Sequence, residues 1–185
     1  MNEIYLVNHR PPKCKAFKSI TRLPQKEAFE MAAKLYAERQ DCDAFNKFGS
    51  SFRGYYLERI ETEKIMHEKF IALGGNPQTV HPIYFFVHSS KAFDRFYANR
   101  VTETIALSEI DSSDICFIIG DSFGKIGENN EAKEPFMKER LMELIAENDN
   151  DLDKFLASVK REIGYAIVEA LVWNDKYFQG GGFKR

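Results

Sequence analysis

The hydrophobic period of the chain changes at Gly74-Gly75, and that change limits what it can fold into. Before the glycine pair, apolar residues recur every three or four positions, the spacing of one helix face. After it come short runs rich in β-branched and aromatic residues, which is how strands read. From Pro24 to about Phe48 the spacing predicts a helix, with Ala28, Phe29, Ala32, Ala33, Leu35 and Tyr36 on its apolar face. A second helix is predicted from about Ser51 to Leu73, with the stripe Phe52, Tyr56, Ile60, Met66, Phe70 and Leu73, ended by the glycines. Strands are expected at 3–8, 81–88, 102–108 and 114–121, with a long final one at 164–175. Helices are expected at 89–100, 135–148 and 150–161, and a polar loop at 127–134. With no repeat and no linker, this order predicts one α+β domain over residues 1–178, a mixed or antiparallel sheet with helices, followed by a flexible tail at 179–185.

A chain of 185 residues is long enough to bury its own core. Lys and Arg total 26 against 28 Asp and Glu, so no overall field favours a nucleic acid or an anionic membrane, although a local basic patch remains compatible. Cys14, Cys42 and Cys116 are too far apart for a metal knuckle or a C-x-x-C pair, which suits a reducing, cytoplasmic setting. The N-terminus lacks the basic start of an export signal, and no apolar run reaches the ~18 residues of a membrane span. Neither export nor a membrane partner is expected.

The stretch CFIIGDSFGKIG (116–127) resembles two reactive motifs and satisfies neither. Its Gly-Asp-Ser turn is similar to the nucleophile block of the SGNH hydrolases, but a serine needs a histidine to take its proton. In that family the histidine lies downstream, whereas His9, His67, His81 and His88 all precede Ser122. The spacing from Gly120 to Gly124-Lys125 is too short for a phosphate-cradling G-x-x-x-x-G-K-[ST] loop, and Ile126 stands where the hydroxyl belongs. The plain reading is a glycine-rich exit from a buried strand, able to rim a pocket. His81 and His88 bracket a strand on opposite faces, so no metal site is expected.

Glu169 stands out inside AIVEALVW. Strand alternation places it with Ile167 and Leu171 on one face, opposite Val168, Ala170 and Val172. A carboxylate among such neighbours is paired, protonated, lining a cavity, or on an edge strand open to water. Arg53 and Arg59 lie six residues apart on the second helix and do not share a face. Tyr55 and Tyr56 beside them suit either a core or a stacking surface.

Three blocks in order, HPIYFFVHSSKAF, VTETIALSEIDSSDICFIIGDSFGKIG and YAIVEALVWNDKYF, resemble the thymidine-targeting DNA ADP-ribosyltransferase toxins and, more broadly, the ADP-ribosyltransferase fold. The resemblance implies an ADP-ribosyltransferase-like fold and NAD as the small-molecule substrate. It implies transfer to a nucleic acid or protein acceptor, or NAD hydrolysis. It maps the family's catalytic glutamate onto Glu169 and its arginine onto Arg59, with Arg53 as second choice. Tyr84 or Phe86 would pack the nicotinamide, and His9 and Ser89 would contact NAD. The first strand, IYLVNH, is similar to the family's NAD-contacting strand, with Leu6 and Asn8 where the family has His and Thr. The competing expectation is a noncatalytic binding module on an α+β fold.

Overall fold

A computed structural model describes residues 3–10, 14–38, 43–88, 101–123, 133–164 and 166–178. The protein is an α+β domain built on one five-stranded antiparallel sheet. The strands are β1 (Tyr5–Arg10), β2 (Ile83–Val87), β3 (Val101–Ala106), β4 (Ile115–Ile119) and β5 (Val168–Val172). The helices are α1 (Gln25–Ala37), α2 (Phe52–Ala72), α3 (Lys138–Ala146) and α4 (Leu152–Ile163). Among the described residues no helix is long and apolar enough to cross a membrane.

The strands lie in the order β3-β1-β2-β5-β4, so the last strand is inserted between β2 and β4. Alternation then divides the core in two. Val168, Ala170 and Val172 of β5 join Ile83, Phe85 and Val87 of β2 and Ile115 and Phe117 of β4 on one face. Leu141 and Ile145 of α3 and Phe155, Leu156 and Val159 of α4 pack onto that face. On the opposite face Leu171 and Trp173 meet Cys116 and Ile118, and Met66 and Phe70 of α2 cover them. The outer edge of β4 is sheltered by two backbone hydrogen bonds between Phe117 and Phe136, which removes part of an exposed strand edge.

Three sequence expectations change. The first helix stops at Ala37 instead of reaching Phe48, because Arg39, Gln40 and Asp43 fall where the apolar face would continue; residues 43–48 form a separate 3-10 turn. The final strand is five residues long, because α4 extends to Ile163 and Gly164 takes the left-handed cap (φ 86°) that ends it. Glu169 is not on an edge strand: it faces Phe86 of β2 on one side and Ile118 of β4 on the other. The helix expected at 89–100, most of the loop at 127–134 and the tail at 179–185 lie outside the described residues.

Gly74 and Gly75 end α2 as the sequence reading expects, Gly74 at φ 93° and Gly75 donating its N–H to Phe70 O. A Cβ on Gly75 would lie 2.4 Å from the Phe70 ring, which is fully buried and stacked on Trp173 at 6.0 Å. Gly75→Ala is therefore expected to lower stability by about 1–3 kcal/mol through overpacking, with an unchanged denaturant slope in urea unfolding.

Candidate active site

The buried stripe of α2 is Phe52, Tyr56, Arg59, Glu63, Met66 and Phe70, spaced alternately by four and three residues. That spacing keeps one seam buried along the whole helix, Phe52 and Tyr56 against Ala28 and Ala32 of α1, and Met66 and Phe70 against β4 and β5. The seam is apolar at its ends and charged at its centre. Directly beneath the charged centre, β5 presents Glu169 and β2 presents Tyr84.

Arg59 is the hub. Its Nη2 lies 3.9 Å from Glu169 Oε1, and its Nε 3.7 Å from Glu63 Oε1. Its Nη1 donates to Ser122 Oγ at 3.1 Å, and its guanidinium lies over the Tyr84 ring, 4.0 Å from the centroid. Phe123 approaches the same guanidinium at 5.5 Å and leans on Tyr55 at 4.7 Å. Glu169 is 3% exposed, and Arg59 only 9%. Burial works against the Arg59 charge, yet the surrounding acidic groups, Tyr84 and Glu169 foremost, hold its pKa above the ordinary arginine value.

Burial pushes the Glu169 carboxyl up to about 7, against the pull of the Arg59 charge; Asp121 adds to the rise and hydrogen bonding from Ser122 opposes it. The Ser122 amide donates to Glu169 Oε2 at 2.9 Å. It reaches there because Gly120 (φ 85°) turns the chain as it leaves β4, while its N–H bonds Ile167 O. The glycine-rich exit is thus a device for aiming an amide at a carboxyl. Ser122 itself is buried, and the partner of its hydroxyl is a guanidinium, which has no lone pair to accept a proton. A serine nucleophile finds no base in that contact.

Glu63, wholly buried, accepts hydrogen bonds from Thr21 Oγ1 (3.1 Å) and Tyr84 Oη (2.8 Å), and its Oε2 lies 2.6 Å from His81 Nδ1. Burial raises the Tyr84 hydroxyl well above its ordinary pKa; Arg59 pulls it down, and Glu63 and Glu169 push it further up. Tyr84 therefore stays a hydrogen-bond donor at neutral pH.

Arg59, Tyr84 and Glu169 line a cavity of about 510 Å³ together with His9, Phe86, Phe48, Tyr55, Phe123, Lys18 and Lys47. This size falls in the ordinary range of small-molecule sites. A second cavity of about 770 Å³ adjoins it, sharing Asn8, His9, Lys18, Lys47 and Phe48. The second cavity is lined by Arg10, Lys15, Arg22 and Lys34 as well, against Glu38 and Asp175.

The structure thus brings Glu169, Arg59, Tyr84, Phe86 and His9 of the sequence reading to one cavity. Leu6 is fully buried on the α3 and α4 side, so the first strand meets the cavity through Asn8 and His9. Arg53 is exposed and does not line the cavity, because it lies off the buried seam of α2; the second-choice arginine drops out. Ser89 lies outside the described residues. Comparison with known proteins finds no matching family model, no matching curated protein and no matching solved structure. The chemistry of the site rests on its own geometry.

As site residues, Glu63 and Thr21 escape the sequence reading. The signal for Glu63 is its place four residues after Arg59 in an otherwise apolar seam.

A carboxyl whose folded pKa is raised favours its neutral form. Its contribution to stability is full below the ordinary value of 4.5 and is lost as pH rises through about 7. Glu169→Gln cannot ionise, so relative to that variant the native chain should lose on the order of a few kcal/mol between pH 4.5 and 7. Urea unfolding of both chains over that window is the measurement, and a pH-independent difference would contradict a neutral buried carboxyl.

Proposed function

We propose that this protein is an ADP-ribosyltransferase-like enzyme that uses NAD, transferring ADP-ribose to a nucleic acid or protein acceptor or to water. The observation that carries the reading is a strand-borne carboxyl and a helix-borne guanidinium, Glu169 and Arg59, facing each other inside an aromatic cavity. The sheet with a late-strand glutamate on the interior strand β5 and an arginine-bearing helix across it is compatible with an ADP-ribosyltransferase-like architecture.

The cavity suits a dinucleotide. Aromatic faces from Tyr84, Phe86, Tyr55 and Phe123 stand beside the cations of Arg59, Lys18 and Lys47, which complements flat rings joined by an anionic bridge. Bound NAD would supply a nicotinamide–ribose bond whose cleavage develops positive charge on the sugar. Glu169, anchored by the Ser122 amide, would stabilise that charge more than it stabilises the ground state. A pKa near 7 also suits it to take a proton from the acceptor. Arg59 would orient the phosphates through paired donors, and Tyr84 or Phe86 would pack the nicotinamide. The adjoining cavity, which shares His9 and Lys47 with the first, would seat the acceptor.

Millimolar NAD is expected to raise the melting temperature, and the protein to release nicotinamide. Glu169→Ala should cut that release by roughly 100-fold or more while the protein stays folded. Arg59→Ala should weaken it as well. Ser122→Ala should lower it less than Glu169→Ala does, because the backbone amide that anchors Glu169 is kept while the hydroxyl contacts to Arg59 and Glu169 are lost. Absence of both the thermal shift and nicotinamide release would turn the reading to a noncatalytic binding module.

A further inference from the structure

We propose that Glu63 is a positioning residue of this site: it fixes the orientation of Arg59 and Tyr84, both of which line the cavity, without lining the cavity itself. In its catalytic consequence, the proposal rests on the NAD-cleaving reading above.

Four separate parts of the chain converge on this one carboxylate. Thr21 comes from the 3-10 turn Ile20–Arg22, His81 from the segment before β2, Tyr84 from β2 and Arg59 from the preceding turn of α2. A wholly apolar seam between Tyr56 and Met66 would serve packing as well, since replacing a buried ion pair entire by apolar groups is often neutral or stabilising, although removing Glu63 alone would leave Arg59 buried without that partner. What an apolar residue could not do is orient a guanidinium.

The guanidinium is a rigid plane with donors at fixed angles. Glu63 Oε1 faces the Nε corner as an ion-pair partner at 3.7 Å, Ser122 Oγ accepts from Nη1 at 3.1 Å, and Nη2 is left toward Glu169. The flat face rests on the Tyr84 ring, and the far end of that ring is pinned by its hydroxyl on Glu63. One carboxylate therefore sets both the rotation of the plane and the shelf under it. A substrate that engages Nη2 and Glu169 would leave the Nε and ring contacts in place, so Arg59 would keep its aim while bound.

The test pairs a spectroscopic readout with a kinetic one. In ¹⁵N-labelled protein, the Arg59 Nε–H resonance, assigned by its loss in Arg59→Lys, should be protected from hydrogen exchange. Glu63→Gln, which keeps the shape and one acceptor oxygen, should reduce that protection at least ~10-fold in protein that is still folded at the assay temperature, with a lowered melting temperature. Nicotinamide release should fall roughly 100-fold in kcat, the scale of a misplaced catalytic group, with a much smaller change in KM for NAD. A folded Glu63→Gln protein with unchanged Arg59 protection and unchanged kcat would overturn the proposal. If the native protein releases no nicotinamide, the NAD reading fails and the resonance alone decides positioning: loss of protection supports it and retention overturns it. If Glu63→Gln does not fold, Tyr84→Phe, which removes one hydroxyl and keeps the ring, is judged by the same two readouts.

Discussion

One guanidinium shared between two buried carboxyl groups organises this protein. Arg59 lies within 4 Å of both Glu63 and Glu169, and taking such charges out of water costs several kcal/mol per ion before any pairing. The two acids meet that cost differently. Glu63 accepts hydrogen bonds from Thr21 and Tyr84, meets His81 Nδ1 at 2.6 Å, and has the arginine beside it as an ion-pair partner. Glu169 has the Ser122 amide and an arginine at the edge of contact, so burial is less fully offset there and its carboxyl is driven toward neutrality. One side of the hub is a fixed anchor, and the other is a group able to exchange a proton near neutral pH.

The apolar part of the fold makes this arrangement tolerable. Met66 and Phe70 clamp α2 onto Trp173 and Leu171, with the Phe70 and Trp173 rings stacked and the Trp173 indole N–H donating to Cys116 Sγ at 3.4 Å. Each fully buried large side chain contributes about 1.5–3 kcal/mol, so a few of them offset the burial of the charged centre. The same clamp fixes the height of the helix above the sheet. Two turns away toward the N-terminus, Arg59 and Glu63 interrupt the apolar seam and meet the sheet through polar and cation-π contacts, and Arg59 lines a cavity there.

What was legible in the sequence follows the range of the forces involved. The elements read correctly, α2 with its glycine stop above all, because period and turn chemistry are local. Glu169 was legible because a lone acid in an apolar strand is conspicuous, but its seat between β2 and β4 was not, since strand order depends on pairings far apart in the chain. The stripe of α2 differs from the sequence expectation at three places: Arg59 is buried where Ile60 is expected and Glu63 is a further member, because apolar periodicity passes over charged residues, and Leu73 is exposed at the cap. The spacing 52, 56, 59, 63, 66, 70 was present throughout, and the two charged members are the ones at the site. Arg59 follows from the resemblance, whereas Glu63 enters the sequence reading only as the i, i+4 neighbour of His67, in a spacing that is not a metal motif, and not as a site residue.

The distinction between buried and exposed ion pairs sets this cluster apart from the surface pairs among the described residues. Arg140 with Glu143 and Glu147, and Lys154 with Asp149, lie at the surface, where water and salt screen them to little net effect. Around Arg59 the surroundings are aromatic rings and strand backbone, so the field of a carboxylate extends into the cavity with far less screening. A field held in place by an amide, a hydroxyl and a stacked ring does not have to reorganise when charge appears on a bound molecule. Preorganisation of that kind costs folding stability, and the fold meets the cost with the apolar ends of the same helix that carries the arginine.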